Sequence, residues 1–244
     1  MSLAILRNCH KHPECVKRIR SLASDLSFCL ATDLEWMGSM CATTGSYAAQ
    51  VCCGVFGKDE DSQFVFTQDH VDGLLLRWTS LFQGEAGQYK MAQKPNPSSI
   101  QCLELCVSDK NKPLLLANNS FIPYLVDALL VDPAGPHADL QADLKSWCQT
   151  THAECLAQMA VYPKGKEALR REPSVSNALQ MVAEAGLTDE GRRHAQSALL
   201  ALSDKELQVQ TEGQKHVMLS CASPGGILVL LHRLSSSILS REII

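Results

Sequence analysis

The stretch HAECLAQMA at residues 152–160 recurs in outline 42 residues later, as HAQSALLAL at residues 194–202. In both copies apolar residues return at the three- and four-residue spacing of an α-helix, and small residues fill the places between them. A self-similarity of about 40–47 residues is typical of repeats built from two or three helices. The recurrence therefore predicts a chain of stacked helical units.

Two further segments carry the same pattern. The segment CLELCVSDKNK at 102–112 aligns with CLAQMAVYPKGK at 155–166 when one residue is inserted, and LRNCHKHPE at 6–14 aligns with LAQMAVYPK at 156–164. A short turn rich in Pro, Asn or Lys follows each one, and a new helix is expected near residues 22, 121 and 175. A helix ahead of Leu6 is missing from the first copy, which suggests a longer parent protein or an uncapped end.

The clearest helical periodicity lies at 69–82, 98–107, 121–131, 174–185 and 187–202, with Ser174 as an expected N-cap and Gly186 as a stop. Loops are expected at 57–63, 84–97 and 132–137. Strand-like alternation is nearly absent before Leu207, so the fold class is predicted to be all-α. Eight residues at matching apolar positions are predicted to be buried: Leu125, Leu129, Leu156, Met159, Leu169, Leu179, Ala198 and Leu202.

Composition narrows the function classes. Hydrophobic residues make up 45% of the chain but aromatic residues only 5%, which favours helices packed through small side chains. The formal net charge of −4 provides no basic surface for nucleic acid or an anionic membrane. No apolar run is long enough to cross a bilayer.

The cysteine count is eleven, which is high and odd. Residues 1–9 contain only the short apolar run LAIL before a basic, His-rich stretch, so no signal segment is recognised. We therefore expect a reducing compartment, the cytoplasm, and most cysteines as small buried hydrophobic residues.

The order of helix, Pro/Asn/Lys turn and second helix resembles armadillo repeats. The best match is SDKNKP at 108–113 followed by FIPYLV at 121–126, and the resemblance extends over roughly residues 3–206. It implies an armadillo-like right-handed superhelix over residues 1–212. It also implies that the helices starting near 121 and 175 line a concave groove.

Residues 213–244 have a different pattern. The segment KHVMLS at 215–220 has the pattern of a short buried strand, PGG at 224–226 of a turn, and 227–240 of an apolar helix. This order resembles the opening of a TIR domain, although CASP at 221–224 departs from the loop usual in that family. TIR enzymes cleave nicotinamide dinucleotides with a glutamate well downstream of this helix. Glu242 is the sole glutamate after Gly213, so no NAD cleavage by this chain is expected.

Several residue sets were candidates for chemistry. Cys9, His10, His12 and Cys15 could bind zinc by residue type, but one short segment lacks the second knuckle of such sites, and the repeat register favours burial of Cys9. The spacing of Cys102 and Cys106 places them on one helix face, where core packing is the better account. His152 with Cys148 or Cys155 could form a nucleophilic pair, but no oxyanion-forming loop accompanies them.

The remaining residue sets also lack the pattern of a binding site. The acidic run Asp59-Glu60-Asp61 lacks the alternating ligand positions of a calcium loop and is interpreted as solvated. No glycine pattern suited to phosphate binding appears. The sequence thus predicts no catalytic residues, no metal and no cofactor.

The predicted function is that of a scaffold that binds a protein or peptide partner. By repeat register the polar residues facing the groove are Tyr124, Asp127, Asn177, Gln180 and Glu184. Two alternatives stay open. These residues could be ordinary solvated helix positions, or the chain could be the regulatory arm of a TIR-type NAD-cleaving or signalling protein.

Overall fold

The computed structural model describes residues 3–35, 42–83, 97–130 and 142–203. Its elements are helices, and no strand occurs within these ranges. In chain order they are α1 (Leu3–Cys9), α2 (Pro13–Arg20), α3 (Ala23–Glu35), α4 (Ala42–Cys52), α5 (Gln68–Gln83), α6 (Pro97–Val107), α7 (Lys112–Ala117), α8 (Phe121–Leu130), α9 (Ala142–Val161), α10 (Pro163–Arg171), α11 (Pro173–Ala185) and α12 (Asp189–Leu202). A π-helical turn, Cys53–Gly57, directly continues α4. The all-α prediction is confirmed for this part of the chain.

Nine of the described helices form two rows in which neighbours pack against each other. One row runs α1, α4, α6, α9 and α12, and the other runs α3, α5, α8 and α11. The rows contact each other through α3 with α4, α8 with α9, and α11 with α12. Trp78 of α5 also donates a hydrogen bond to Gln101 of α6, with the indole nitrogen 3.0 Å from the amide oxygen. The core therefore lies between the two rows.

Short helices occupy the places where the sequence predicted turns. The helices α2, α7 and α10 each have a proline in their first turn, where its missing N–H group costs no hydrogen bond. Proline thus lies at the start of each of these short helices. For the same reason Ser174 is not the N-cap of α11. Pro173 is its first residue and Glu172 occupies the cap position.

The most extensive helix contact in the described part of the chain is that of α9 with α12. Gly191 faces Thr150 so closely that a β-carbon on it would lie 3.2 Å from the threonine hydroxyl. The hydroxyls of Thr150 and Thr188 are 2.6 Å apart across this contact. Ala195 and Ala198 are fully buried on α12. Small side chains therefore let two long helices approach each other at close range.

All eight residues predicted to be buried are confirmed. Seven of them are 0% exposed and Leu202 is 8% exposed. They belong to one hydrophobic cluster that extends through both rows. The helical period identified the inward face correctly in α8, α9, α10, α11 and α12.

The acidic loop after the π-helical turn is largely exposed but also contacts neighbouring segments. Asp59 pairs with Arg20 at 2.5 Å, and Glu60 accepts a hydrogen bond from the backbone of Asp109 at 2.8 Å. Asn111 donates through its amide to the carbonyl of Gly57 at 2.7 Å. Glu60 and Asp61 are exposed, in agreement with the interpretation of this loop as solvated, whereas Asp59 is half-buried in its ion pair with Arg20.

Among the described helices, none is both long enough and apolar enough to span a membrane. The strand and helix expected at 213–244 lie outside the described residues, as do most of the loop at 84–97 and the loop at 132–137. The TIR-like interpretation, the 1–212 and 213–244 division and the alternative of a regulatory arm stay predictions.

We predict that Leu156→Ala lowers the free energy of unfolding by about 2–5 kcal/mol, since it empties a fully buried site between helices. Val161→Ala is the matched control, because Val161 is on the same helix but 68% exposed, and it should cost less than about 0.5 kcal/mol. Urea unfolding of both variants measures the two costs. Equal costs would contradict the burial of this face of α9.

Candidate functional site

Three thiols meet between α6 and α9. Cys102 and Cys106 lie one turn apart on α6, and Cys155 faces them from α9. The three sulfur atoms lie within 4.8 Å of one another, and those of Cys102 and Cys155 are 3.9 Å apart. All three residues are 0% exposed. Within the described ranges this is the one group of three or more potential metal ligands that comes together.

The surroundings shift the pKa values of the three thiols in different directions. Burial raises the pKa of the Cys102 and Cys155 thiols well above their usual range. Burial also opposes ionisation of Cys106, but hydrogen bonds from the other two thiols and the charge of Lys112 outweigh it and lower the pKa of Cys106. The cluster is therefore suited to holding one thiolate at Cys106, solvated by two S–H donors.

Lys112, which supplies this charge, is itself a buried lysine at 3% exposure. Its ammonium group pairs with Asp109 at 2.6 Å and lies 5.5 Å from the centre of the Tyr162 ring. A buried ammonium needs such partners, since burial without them would cost several kcal/mol. These contacts hold a positive charge close to the thiol cluster.

Glu104 lies on the opposite face of α6 and approaches the π-helical turn. A β-carbon on Gly54 would be 3.4 Å from the Glu104 carboxylate and 2.9 Å from the His10 ring. A β-carbon on Gly57 would be 3.3 Å from the backbone of Glu104. The two glycines therefore let α6 and the end of α1 approach the π-helical turn closely.

Ionisation at this contact is perturbed. Burial raises the pKa of Glu104 to about 7, and Lys58 and Lys11 oppose the shift only in part. Burial likewise lowers the pKa of His10. π-helical turns are rare in proteins, and those that occur are frequently found at functional sites. The arrangement has a carboxyl group whose protonation changes near neutral pH.

The Cys–His pair considered from the sequence does form, but in an inert state. The sulfur of Cys148 is 3.6 Å from Nδ1 of His152, whose Nε2 lies 3.1 Å from the Tyr124 hydroxyl. His152 is 0% exposed, and burial lowers its pKa to about 4 while raising the pKa of Cys148 to about 11. A nucleophilic pair needs thiolate and imidazolium, which are the forms that this site disfavours.

The N-terminal set does not come together as a four-ligand site. Cys9 and Cys15 interact through their thiols, but no group of three or more is formed by Cys9, His10, His12 and Cys15 within the described range 3–35. His10 instead bonds through Nδ1 to the carbonyl of Arg7.

The predicted groove residues divide into two kinds. Tyr124 is buried, with its hydroxyl bonded to His152, so it does not present a side chain to a binding partner. Asp127 of α8 is exposed, and burial of part of its side chain raises its pKa. Asn177, Gln180 and Glu184 are exposed on α11, where Gln180 donates a hydrogen bond to Glu184. The row α3, α5, α8 and α11 thus brings four of the five residues to its accessible surface.

Sequence reasoning overlooked Glu104 and Lys112. Glu104 stands in the otherwise apolar run CLELCV, and a charge at that place is a signal of a special contact. Lys112 had no such signal, because the sequence KNKP is typical of a solvated turn. The aromatic ring that its ammonium group contacts belongs to Tyr162, which is 50 residues away in the chain.

Comparison with known proteins gives no relative. No family model, curated protein or solved structure matches this chain.

We predict that Glu104 contributes a loss of stability as pH rises from about 4.5 to about 7, because it is protonated in the folded state and ionised in the unfolded state over that window. A shift of this size corresponds to at most about 3 kcal/mol. The lowered pKa values of His10 and His152 contribute in the opposite direction below about pH 6.5, so the contribution of Glu104 is measured as the difference between the chain and its variant. Glu104→Gln should remove this part of the pH dependence. Urea unfolding at pH 5 and pH 8 measures it.

Glu184→Gln is the control for this experiment, since it removes an exposed carboxylate and should leave the pH dependence unchanged. An unaltered pH dependence in Glu104→Gln would contradict the burial of that carboxyl group.

Proposed function

We propose that this protein is an armadillo-like helical-repeat scaffold in a reducing compartment. In this proposal the exposed face of α5, α8 and α11 binds a basic segment of a partner protein that also carries apolar side chains. The observation that carries the proposal is an accessible face on which carboxylates and exposed apolar side chains alternate.

The arrangement of contacts supports the repeat architecture. In a solenoid each repeat packs against its neighbours in the sequence, and the helices of successive repeats form parallel rows. The contacts of α4 with α6, α6 with α9 and α9 with α12 follow this rule, as do those of α5 with α8 and α8 with α11. A row of this kind offers a continuous surface to an extended ligand.

The chemistry of the face supports a basic ligand. Helices α8 and α11 contain no lysine or arginine, whereas Asp127 and Glu184 are exposed on them. Asp69 is exposed on α5 in the same row. Opposite charges at an interface speed association and select the partner.

Exposed apolar side chains on the same helices support a ligand that carries apolar as well as basic side chains. Leu76 of α5 is 58% exposed, Leu130 of α8 is 37% exposed and Met181 of α11 is 61% exposed. Methionine adapts its shape to different partners and is frequent at binding surfaces. Burial of these side chains by a partner would supply the nonpolar part of the affinity.

The reducing compartment rests on the cysteines. The nine cysteines in the described ranges are all free thiols, and six of them are buried. Such residues behave as small core hydrophobes in a cytoplasmic protein.

Synthetic peptides test this proposal directly. Neighbouring helices about 10 Å apart give a face of roughly 20–30 Å, which about 10 extended residues span at about 3.3 Å per residue. Peptides of that length alternating Lys with Leu should bind the chain, and peptides with Gln in place of Lys should bind more weakly. Fluorescence anisotropy at low and high salt measures the affinity for both peptides, and high salt should weaken binding of the Lys peptide.

We predict that the double variant Asp127→Asn, Glu184→Gln binds the Lys peptide about 3- to 10-fold more weakly, as expected for the loss of two exposed ion pairs. The matched control, Asp61→Asn with Asp143→Asn, removes the same charge from exposed positions outside this face and should have little effect. Met181→Ala should also weaken binding, whereas Leu200→Ala on α12, at a similarly exposed leucine, should not. Equal binding of Lys and Gln peptides, or equal losses in both double variants, would contradict the proposal.

A further inference from the structure

We propose that Cys102, Cys106 and Cys155 form a binding site for one cuprous ion, held by three sulfur atoms between α6 and α9. The site is separate from the exposed face of α5, α8 and α11 and does not depend on the function proposed for it.

The spacing of the sulfur atoms fits a three-coordinate ion. Metal–sulfur bonds in proteins are about 2.3 Å long, so three sulfurs arranged in a plane around one ion are about 4.0 Å apart. The sulfurs of Cys102 and Cys155 are already 3.9 Å apart, and no pair in the cluster exceeds 4.8 Å. Each sulfur therefore has to move by less than about 1 Å to bind the ion.

The donor set and its burial select the ion. Thiolate donors favour Cu(I), Zn(II) and iron–sulfur clusters over hard cations. Structural zinc takes four protein ligands, and catalytic zinc keeps an open position for water. Here no fourth Cys, His, Asp or Glu joins the group within the described residues, and the three side chains are closed to solvent. Cu(I) can be coordinated by three soft ligands alone, so it is the ion that fits this donor set.

The surrounding charges support metal binding. Lys112 holds a positive charge near the cluster, and its ammonium group also pairs with Asp109. Each thiol that binds the ion as thiolate releases its proton to solvent. The ammonium group of Lys112 offsets part of the negative charge that the bound cluster retains.

A bound ion would join two helices of one row. Cys102 and Cys155 are 53 residues apart in the chain, so the ion would close a long loop and stabilise the contact of α6 with α9. Because the three residues are 0% exposed, the ion can enter only when α6 and α9 separate. Uptake by the folded chain is therefore expected to be slow, and metal bound to exposed thiols should exchange faster.

The experiment uses the full chain with Cys9→Ser and Cys15→Ser, because those two partly exposed thiols interact and could bind Cu(I) by themselves. The reduced protein is incubated without oxygen with Cu(I) held by a chromogenic chelator until uptake stops. We expect one copper per chain to resist the chelator, with three sulfur ligands at about 2.3 Å by X-ray absorption. Failure to retain copper, two-sulfur coordination, or retention of zinc alone would overturn the proposal.

Single variants in this background locate the ion. Cys106→Ala and Cys155→Ala should each weaken Cu(I) binding by more than about 100-fold, which exceeds the 10- to 100-fold loss typical of a supporting residue. Cys148→Ala is the control, since it removes a buried thiol of α9 that lies outside the cluster. Far-UV circular dichroism checks that each variant is folded.

An equal loss in Cys148→Ala would overturn the assignment. If a cluster variant does not fold, the sulfur count in the background chain decides the question. Bound copper should also raise the melting temperature of that chain, because a ligand that binds only the folded state stabilises it. An unchanged melting temperature at saturating copper would contradict a site between α6 and α9.

Discussion

The close approach of α9 to its neighbours is the constraint on which the rest of the structure depends. This helix of 20 residues packs against α6, α8, α10 and α12, so it is enclosed on several sides. Ala153, Cys155 and Ala160 are at most 1% exposed and keep its surface shallow. Gly165 follows the same rule, because a β-carbon there would lie 2.3 Å from the carbonyl of Met159. Small residues are therefore a geometric requirement at these contacts.

Enclosure of α9 also accounts for the chemistry of the interior. A helix enclosed on several sides must satisfy its polar groups within the protein. His152 does so through Tyr124 on α8 and the backbone carbonyl of Cys148. The same enclosure brings Cys155 against Cys102 and Cys106. The inert Cys–His pair and the thiol cluster are thus two consequences of one packing arrangement, and they differ because Lys112 supplies a charge to the cluster alone.

Much of the fold could be predicted from the sequence because helices are local structures. The 3.6-residue period placed Leu125, Leu156 and Leu179 correctly in the core, and small-residue spacing signalled the close helix packing. The short helices α7 and α10 could not be separated from turns, since proline is frequent both in turns and in the first turn of a helix.

The site was harder to predict because its contacts are distant in sequence. Tyr124 has an amphipathic side chain that suits either a surface or a core, and its partner His152 decides between them from another helix. Prediction of the thiol cluster would have required the register of α6 against α9. Prediction of the Glu104 contact would have required its proximity to Gly54, 50 residues earlier in the chain. Local pattern identifies which face of a helix is buried, but not which residue of another helix meets it. The exposed face of α8 and α11 was accessible to sequence reasoning because exposure follows from the same local period.

Native-state hydrogen exchange of the full chain tests the central role of α9 most directly. If α9 is the most enclosed helix, the amides of 148–159 should exchange only through global unfolding and be the slowest in the described part of the chain. Those of α1 and α3 should exchange through smaller local openings. Exchange of the α9 amides at rates equal to or faster than those of α3 would contradict the account.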